Sequence, residues 1–326
     1  MNFEISEEHQ MLRDAVADAV ARVEATPAAL WPVFRELGLT GICASEAAGG
    51  VGMDALALAI VAEEVAYVHP GMATVFVLHN ASVCAALESA LQDESIANLL
   101  GELLVGDRVG TGTVCSAGAR LALWMGNVPH VALDSVSGSG TTSVVQITQD
   151  AVSETASFEG LAWASVSGSS SQLTVPGEHR SLPPLVSMGL GAVGVGIGRA
   201  AFDAAAAYSI ERKQFGKQLS QFQAIQWMLS DSNAELDASR LLVRGAANAI
   251  DLAEEGTISE QSAYHAAETA MKIADRAIQI HGGYGYTREY PVERLWRDAR
   301  QLLVGCLNDG RSLRVRVAEG TIEEAR

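Results

Sequence analysis

The sequence predicts a mainly α-helical protein with a small β domain in its middle. Residues 1–106 and 183–326 carry apolar residues at helical spacing, which predicts an N-terminal helical domain and a C-terminal four-helix bundle. Residues 107–182 are instead rich in Ser, Thr, Gly and Val, a composition typical of short strands and turns. A chain of 326 residues is long enough to hold three such domains.

The first domain is predicted to contain five helices. Ser6 is expected to cap the first of them, because a serine side chain can accept a hydrogen bond from a free amide of the first turn. The second helix should end at the break that begins with Gly38. Apolar residues at helical spacing place the other four helices at 31–37, 53–68, 72–87 and 94–105.

The first two bundle helices are predicted to be closely packed. The helix at 185–212 is rich in glycine and alanine. A glycine inside a helix costs about 1 kcal/mol relative to alanine, so we expect close helix contacts to offset that cost. In the next helix, 219–254, Leu229, Leu236 and Val243 fall seven residues apart, which indicates packing along the whole helix.

Two further helices complete the predicted bundle. Thr257 and Glu260 have capping-box spacing, so the third helix should begin there with reciprocal hydrogen bonds from side chain to amide. Gly282 and Gly283 should end that helix, since glycine readily adopts the backbone conformations that close helices. The fourth helix is expected at 292–304.

Charge and cysteine usage argue against several kinds of partner. The formal net charge of −17 disfavours nucleic acid, whose phosphates attract dense clusters of Lys and Arg. Apolar runs such as 56–60 are far too short to span a bilayer, so no membrane partner is expected. The chain shows no secretory signal and no Cys/His cluster for a metal, so reduced thiols and a cytoplasmic location are predicted. The four cysteines are Cys43, Cys84, Cys115 and Cys306.

Two short blocks in the last third carry residue types suited to phosphate binding. The first, 211–217, reads Glu-Arg-Lys-Gln-Phe-Gly-Lys; its Arg212 offers planar, bidentate donors to a pyrophosphate, and its Phe215 offers an aromatic face. The second, 279–286, reads Gln-Ile-His-Gly-Gly-Tyr-Gly-Tyr, and its double glycine leaves backbone amides open to phosphate oxygens. Taken singly, each block also fits a simpler structure, a solvated charged turn or a glycine-capped helix end.

Together with the Arg-Asp segment at 297–298, the two blocks resemble the C-terminal helical domain of the acyl-CoA dehydrogenases, flavoenzymes that desaturate acyl-CoA thioesters between the α and β carbons. The predicted order of helical domain, β domain and four-helix bundle is also similar to that family's architecture. The resemblance implies an acyl-CoA substrate, FAD as cofactor and an electron-transfer flavoprotein as acceptor. It further implies that FAD, held mainly by a neighbouring subunit, is contacted by Arg212, Phe215, Phe222, Gln223, Gln279, Gly282 and Gly283.

Two segments that the resemblance leads one to expect are missing. In many members a Tyr-Glu-Gly-Thr stretch follows the Arg-Asp segment, and its glutamate removes the α-proton; Cys306 stands at that place here. Other members place the glutamate before the first bundle helix, but residues 182–202 contain no acid. The family's Thr-Glu-Pro-x-x-Gly-Ser-Asp segment, which binds the flavin ring, is replaced by the acid-free stretch 110–119. We therefore expect no catalytic base in this chain, and a small, buried cysteine at position 306.

These features predict the non-catalytic half of a heteromeric acyl-CoA dehydrogenase, similar to the paired α2β2 enzymes of steroid-degrading actinobacteria. A homologous catalytic subunit would supply the base and the flavin-ring site, and this chain would complete its FAD site. A shortened β domain would suit a bulky acyl group such as a steroid side chain. Three alternatives stay open: a homo-oligomeric enzyme with an atypical base such as Asp309, a flavin-free scaffold, and an acyl-CoA-binding module without redox chemistry.

Overall fold

Helices form both ends of the protein and strands form its middle, so the predicted fold class is confirmed. The N-terminal helices are α1 (Glu7–Ala21), α2 (Pro27–Glu36), α3 (Ala55–Val68), α4 (Pro70–Leu78), α5 (Ala85–Glu88) and α6 (Glu94–Leu104). The computed structural model describes residues 5–116, 119–126, 128–135, 141–153, 157–166, 171–176, 183–254, 257–307, 314, 315 and 317–319.

Local sequence signals set the ends of several N-terminal helices. Ser6 Oγ accepts a hydrogen bond from the amide of His9, which confirms the predicted cap of α1. Thr26 caps α2 in the same way, so α2 begins earlier than predicted. The helix predicted at 72–87 is divided by a π-helical turn, His79–Cys84, which joins α4 to α5.

The middle of the chain folds into two small sheets. Their strands are β1 (Val109–Gly112), β2 (Val114–Ser116), β3 (Ala119–Trp124), β4 (His130–Ser135), β5 (Thr141–Ile147), β6 (Val152–Ser153), β7 (Ala162–Ser165) and β8 (Ser171–Pro176). One sheet has the order β1-β4-β5-β8, in which β1 and β4 are parallel and the other pairs antiparallel; the second has the order β2-β3-β7-β6 and is antiparallel. β1 lies directly on the π-helical turn, because a Cβ on Gly110 would lie 2.7 Å from the Val83 side chain.

In the described parts of residues 183–307, the C-terminal bundle contains four helices and a short hairpin. In chain order they are α7 (Pro184–Glu211), β9 (Lys213–Gln214), β10 (Lys217–Gln218), α8 (Gln223–Asp251), α9 (Ile258–His281) and α10 (Pro291–Arg300), followed by the π-helical segment Gln301–Cys306. The predicted capping box at Thr257 is wrong: its hydroxyl accepts a hydrogen bond from the Gln261 side chain and caps no backbone amide. Gly282 ends α9, as predicted.

The glycines of α7 allow its backbone to touch the neighbouring helices. A Cβ on Gly196 would lie 2.5 Å from the carbonyl oxygen of Glu63 in α3. A Cβ on Gly194 would lie 2.9 Å from the carbonyl carbon of Ala266 in α9. Since Cβ atoms essentially never come so close to backbone, any side chain at these positions would force the helices apart. The expected close packing of this helix is therefore confirmed.

The seven-residue repeat of α8 faces the bundle core. Leu236 and Val243 are buried, as are Ser232 and Ser239 beside them, while Leu229 near the start of the helix is half-buried. Small serines at this seam let α8 approach α9 closely. The predicted packing of α8 is confirmed for its central part, 232–247, whereas the first turns of the helix are exposed or half-buried.

Two helical stretches are long and apolar enough, by length and composition, to cross a membrane. They are Pro70–Glu88 and Pro184–Glu211, so the prediction that every apolar stretch is too short was wrong. However, 94% of the apolar window of the first and 78% of that of the second lie buried inside the fold. Among the described residues these are core helices, whose apolar surface is covered by other parts of the same chain.

Gly196→Ala should lower the free energy of unfolding by about 1–3 kcal/mol, the usual cost of adding a carbon to a filled core. Gly101 in α6 is a matched control, because a Cβ there meets nothing within 4 Å. Gly101→Ala should raise the free energy of unfolding by up to about 1 kcal/mol, through better helix propensity. Urea titration followed by circular dichroism measures both variants. Equal free energies of unfolding for the two variants would show that α7 can move away from α3 without cost.

Candidate functional site

The first sequence block forms the end of α7 and a tight hairpin that presents Phe215. Arg212 is the C-terminal cap residue of α7, and the chain then turns back through β9 and β10. Phe215, at the turn, has a φ of 49° and a 93% exposed side chain. The left-handed region costs a non-glycine residue about 1–2 kcal/mol, so a strained and exposed phenylalanine suggests a functional position.

The Phe215 ring is oriented by its neighbours. Its edge meets the ring of Phe222, with centroids 6.4 Å apart. The ammonium group of Lys217 lies 4.1 Å from the Phe222 ring centroid on its face. Edge-to-face and cation–π contacts together hold the hairpin tip in one arrangement. Gln223 follows as the exposed first residue of α8.

The second block ends α9 with a bare stretch of backbone. Gly282 has a φ of 62°, and its amide donates to the carbonyls of Ile278 and Gln279. A Cβ added to Gly282 or Gly283 would meet nothing within 4 Å, so packing inside the chain does not explain the second glycine. Gly285 differs, because a Cβ there would lie 2.6 Å from the Ile278 carbonyl oxygen. Gly283 therefore leaves room for something outside the chain.

A group of aromatic rings joins the two blocks into one surface. Tyr208, one turn before Arg212 in α7, stacks on His281 at the end of α9, with centroids 4.2 Å apart. Tyr290 packs edge-on against both rings. The Arg212 guanidinium carbon lies 5.6 Å from the Tyr284 ring centroid on its face. Burial lowers the pKa of His281, so this imidazole is neutral and serves as a stacking partner.

Three of the predicted site residues line one pocket of about 480 Å³: Arg212, Gly282 and Gly283. Arg212 is exposed and, among the described residues, has no carboxylate partner. The other predicted residues lie outside this pocket: Phe215 and Phe222 on the hairpin side, Gln223 at the start of α8, and Gln279 exposed in the last turn of α9. Sequence reasoning missed the remaining lining residues, which are Tyr208, Gln214, Leu219, Ile280, His281, Tyr284 and Thr287.

Cys306 lies at the end of the π-helical segment and is only 4% exposed, so its expected burial is confirmed. Burial raises the pKa of its thiol to about 12, which keeps it protonated at neutral pH. The segment is tightly packed, since a Cβ on Gly305 would lie 3.3 Å from the Trp163 ring. The alternative base Asp309 lies outside the described residues.

In the stretch that replaces the flavin-ring segment, the hydroxyls of Thr111 and Thr113 bond within the protein. Thr111 Oγ1 accepts a hydrogen bond from the amide of Leu123 at 3.1 Å. The Thr113 hydroxyl donates to the carbonyl of Leu133, and both threonines are buried. These groups are thus engaged within the chain. No group of three or more possible metal ligands occurs among the residues that the structure describes.

Two family models match the chain. The acyl-CoA dehydrogenase N-terminal domain matches residues 6–107, and the acyl-CoA dehydrogenase C-terminal domain matches residues 187–305. The chain belongs to the acyl-CoA dehydrogenase family. The two matches flank the middle sheets and include the surface formed by the ends of α7 and α9.

Relatives and solved structures agree with this membership. The chain is 43% identical over 118 residues to a 3-(aryl)acrylate reductase of Clostridium sporogenes, which is 36% of this chain and 31% of that protein. The match thus spans about a third of that relative's length. A chain from a structure of the electron transferring flavoprotein of Acidaminococcus fermentans shares the fold with a TM-score of 0.80 and 22% identity, covering 98% of this chain and 99% of that one. Butyryl-CoA dehydrogenase of Megasphaera elsdenii gives a TM-score of 0.75 and 22% identity, covering 93% and 95%.

Members of this family are FAD-dependent flavoproteins. The pocket at the ends of α7 and α9 fits the phosphate-bearing half of such a cofactor. Arg212 offers a bidentate cation that is not neutralised by a described carboxylate, and Gly283 offers bare backbone with free space above it. The strained, exposed Phe215 offers an aromatic face beside it in sequence.

Cys306 should resist iodoacetamide at pH 8 in the native protein, because its thiol is buried and its pKa is raised to about 12. The same cysteine should react rapidly once urea unfolds the chain. Peptide mass spectrometry measures the modified fraction in both states. Rapid native alkylation would mean that this thiol is accessible and ionisable.

Proposed function

We propose that this chain is the non-catalytic half of a heteromeric, α2β2 acyl-CoA dehydrogenase and completes the FAD site of a homologous catalytic subunit. One contrast carries the proposal. The Arg212 pocket is open to the outside, whereas Cys306, at the place of the base, and Thr111 and Thr113, in the stretch that replaces the flavin-ring segment, are buried. Both threonines also form hydrogen bonds within the chain. A site with a cofactor-binding edge and no base suits one half of a shared active site.

Each residue of the surface has a definite part in this assembly. Arg212 would pair with the pyrophosphate of FAD, and the amide at Gly283 would donate to its phosphate oxygens, with Gly282 leaving space for the cofactor beside it. Phe215 and Phe222 would cover an aromatic edge of the cofactor, while Gln223 and Gln279 would donate side-chain hydrogen bonds at its margin. The bound FAD would supply the hydride acceptor for α,β-desaturation, and the partner subunit would supply the carboxylate that takes the α-proton.

Exposed apolar side chains around this surface support a protein partner. Phe215 is 93%, Tyr286 78% and Ile210 57% exposed, and they lie in or beside the two sequence blocks. Trp227, in the second turn of α8, is 62% exposed. Large aromatic residues are costly to leave in water and are enriched at protein interfaces. Covering them with a homologous subunit would bury apolar area and place the partner's cofactor against Arg212.

The substrate of the complex would be an acyl-CoA thioester with a bulky acyl group, such as a steroid side chain, and the acceptor an electron-transfer flavoprotein. The choice of acceptor is supported by the fold that this chain shares with a chain from an electron transferring flavoprotein structure. The cytoplasm is the proposed location, in agreement with free Cys43, Cys84 and Cys306.

Expression of the chain alone and together with its genomic neighbour tests the proposal. The chain alone should be colourless, since its half of the site lacks the flavin-ring segment. The co-expressed complex should be yellow and should desaturate an acyl-CoA. A yellow homo-oligomer of this chain that desaturates acyl-CoA unaided would contradict the proposal and favour an atypical base. A colourless complex would favour a flavin-free scaffold.

Arg212→Ala should weaken FAD binding by the complex by about 1.5–3 kcal/mol, the range for a hydrogen bond to a charged group. Arg212→Lys should weaken FAD binding less than Arg212→Ala does, because lysine keeps the positive charge. It should still bind FAD less tightly than wild type, because lysine lacks the bidentate geometry. Arg22, an exposed arginine paired with Asp18 on α1, is the control, and Arg22→Ala should leave FAD content unchanged. Absorbance at the flavin band during dialysis gives the dissociation constants. Equal FAD affinity in the Arg212→Ala and Arg22→Ala complexes would show that Arg212 is only a surface charge.

Cys306→Glu should not raise the turnover of the complex per FAD, although it restores a carboxylate at the family's usual place. The new group would enter a closed region, and burying an unpaired charge should lower stability. Cys306→Ala is the matched control and should keep activity within a few fold. A gain in turnover with Glu, or its collapse with Ala, would mean that this chain has an active site of its own.

A further inference from the structure

Buried polar atoms without partners lie where α4, α10 and the β6–β7 connection join. They are Nε2 of His69, Oγ of Ser157, Nε of Arg294 and Oδ2 of Asp298, and none has a hydrogen-bond partner among the described residues. His69 and Asp298 are each only 1% exposed. Buried polar groups almost always bond to protein or to ordered water, so such a cluster at one junction implies a further molecule.

Contacts around these atoms close a ring through three parts of the fold. Arg294 donates a hydrogen bond to the backbone carbonyl of Val68, the residue before His69, at 3.5 Å. One turn later in α10, Asp298 Oδ1 accepts a hydrogen bond from the amide of Glu159 at 3.4 Å. A Cβ on the next residue, Gly160, would lie 3.8 Å from His69 Nε2. The ring of contacts thus returns to its start, and His69, Arg294 and Asp298 all belong to it.

The hydrogen bonds already made determine which of these atoms carry protons. His69 Nδ1 accepts from the amide of Met72 at 3.1 Å, so the neutral imidazole carries its proton on Nε2. Burial lowers the pKa of His69 to about 4, which keeps it neutral. Arg294 Nε is always a donor, whereas an ionised Asp298 Oδ2 is an acceptor. Two donors and one acceptor at one junction match the bonding of a single water molecule.

We propose that this junction binds one water molecule, which accepts hydrogen bonds from His69 and Arg294, donates one to Asp298 and thereby fixes α10 against the middle domain. In this proposal the hydroxyl of Ser157, which lies two residues before Glu159 in the chain, accepts the second proton of the water. Because α10 runs directly into Gln301–Cys306, the bound water also positions that segment. The site is distinct from the Arg212 surface and does not depend on the proposed function.

Charges at the junction make the water-bound site sensitive to pH. Asp298 faces Arg294 and Arg297 on its own helix and Glu159 on the β6–β7 connection. The neutral His69 on the α3–α4 corner faces Arg294 and Glu159. Burial raises the pKa of Asp298 from 3.8 to about 6 in spite of both arginines. A carboxyl whose folded pKa lies above its unfolded value favours folding most when protonated, and this contribution is lost as pH rises through about 4 to 6.

Asp298→Asn and Asp298→Leu, made in the full chain, test the proposal. Asparagine keeps an acceptor for the water and carries no charge. Between pH 4 and pH 8, the unfolding equilibrium constant of wild type should therefore rise tenfold or more relative to that of Asp298→Asn. The variant thus gains stability relative to wild type as the pH rises. Leucine removes the acceptor, so it should accelerate hydrogen–deuterium exchange in α10, and asparagine should restore protection. Asp18→Asn, at an exposed site on α1, should show neither effect.

A crystal structure of the full chain provides the direct observation. We expect one ordered water within hydrogen-bond distance of His69 Nε2, Arg294 Nε and Asp298 Oδ2. No density there, or normal α10 protection in Asp298→Leu, would overturn the proposal. So would a pH shift of opposite sign, which would mean that the two arginines satisfy the Asp298 carboxylate directly. Stability that depends on chloride, but not on other anions, would assign the site to an anion instead and likewise overturn it.

Discussion

The close packing of α7 against α3 and α9 is the constraint on which the rest of the structure depends. Gly194 and Gly196 leave no space for a Cβ, so the position of α7 along its neighbours is set to within a fraction of an ångström. A bidentate ion pair from Arg199 to Glu64, with N–O distances of 2.8 and 2.6 Å, ties α7 to α3 further along. A helix held in this way transmits its position to both of its ends.

The candidate FAD surface lies at the C-terminal end of that helix and needs nothing from the middle domain. The stacked rings of Tyr208 and His281 connect the ends of α7 and α9 at a centroid distance of 4.2 Å. Arg212 lies one helical turn after Tyr208, and Gly282 directly follows His281. The bundle core thus places the cation and the bare backbone together. Changes in the sheets can therefore accumulate without loss of this surface.

The sequence predicted what depends on local pattern and failed where distant contacts decide. Apolar spacing located the helices, and the two blocks located Arg212, Gly282 and Gly283. The pattern did not distinguish the π-helical turn His79–Cys84 from an α-helix, because both bury a similar run of apolar residues. Thr257 has the spacing of a cap, yet the Gln261 side chain competes for its oxygen. The stacking of Tyr208 on His281 joins residues far apart in sequence, for which spacing carries no signal.

The absence of a base at position 306 involves more than one substitution. Cys306 is buried, and the neighbouring Gly305 is closely packed, since a Cβ there would lie 3.3 Å from the Trp163 ring. In the stretch that replaces the flavin-ring segment, the hydroxyls of Thr111 and Thr113 form hydrogen bonds within the sheets. Close-packed interiors resist isolated changes, because each added group needs a matching space. In the proposed assembly, Cys306, Thr111 and Thr113 are therefore ordinary core residues, while the Arg212 surface keeps its strained phenylalanine and its open glycines.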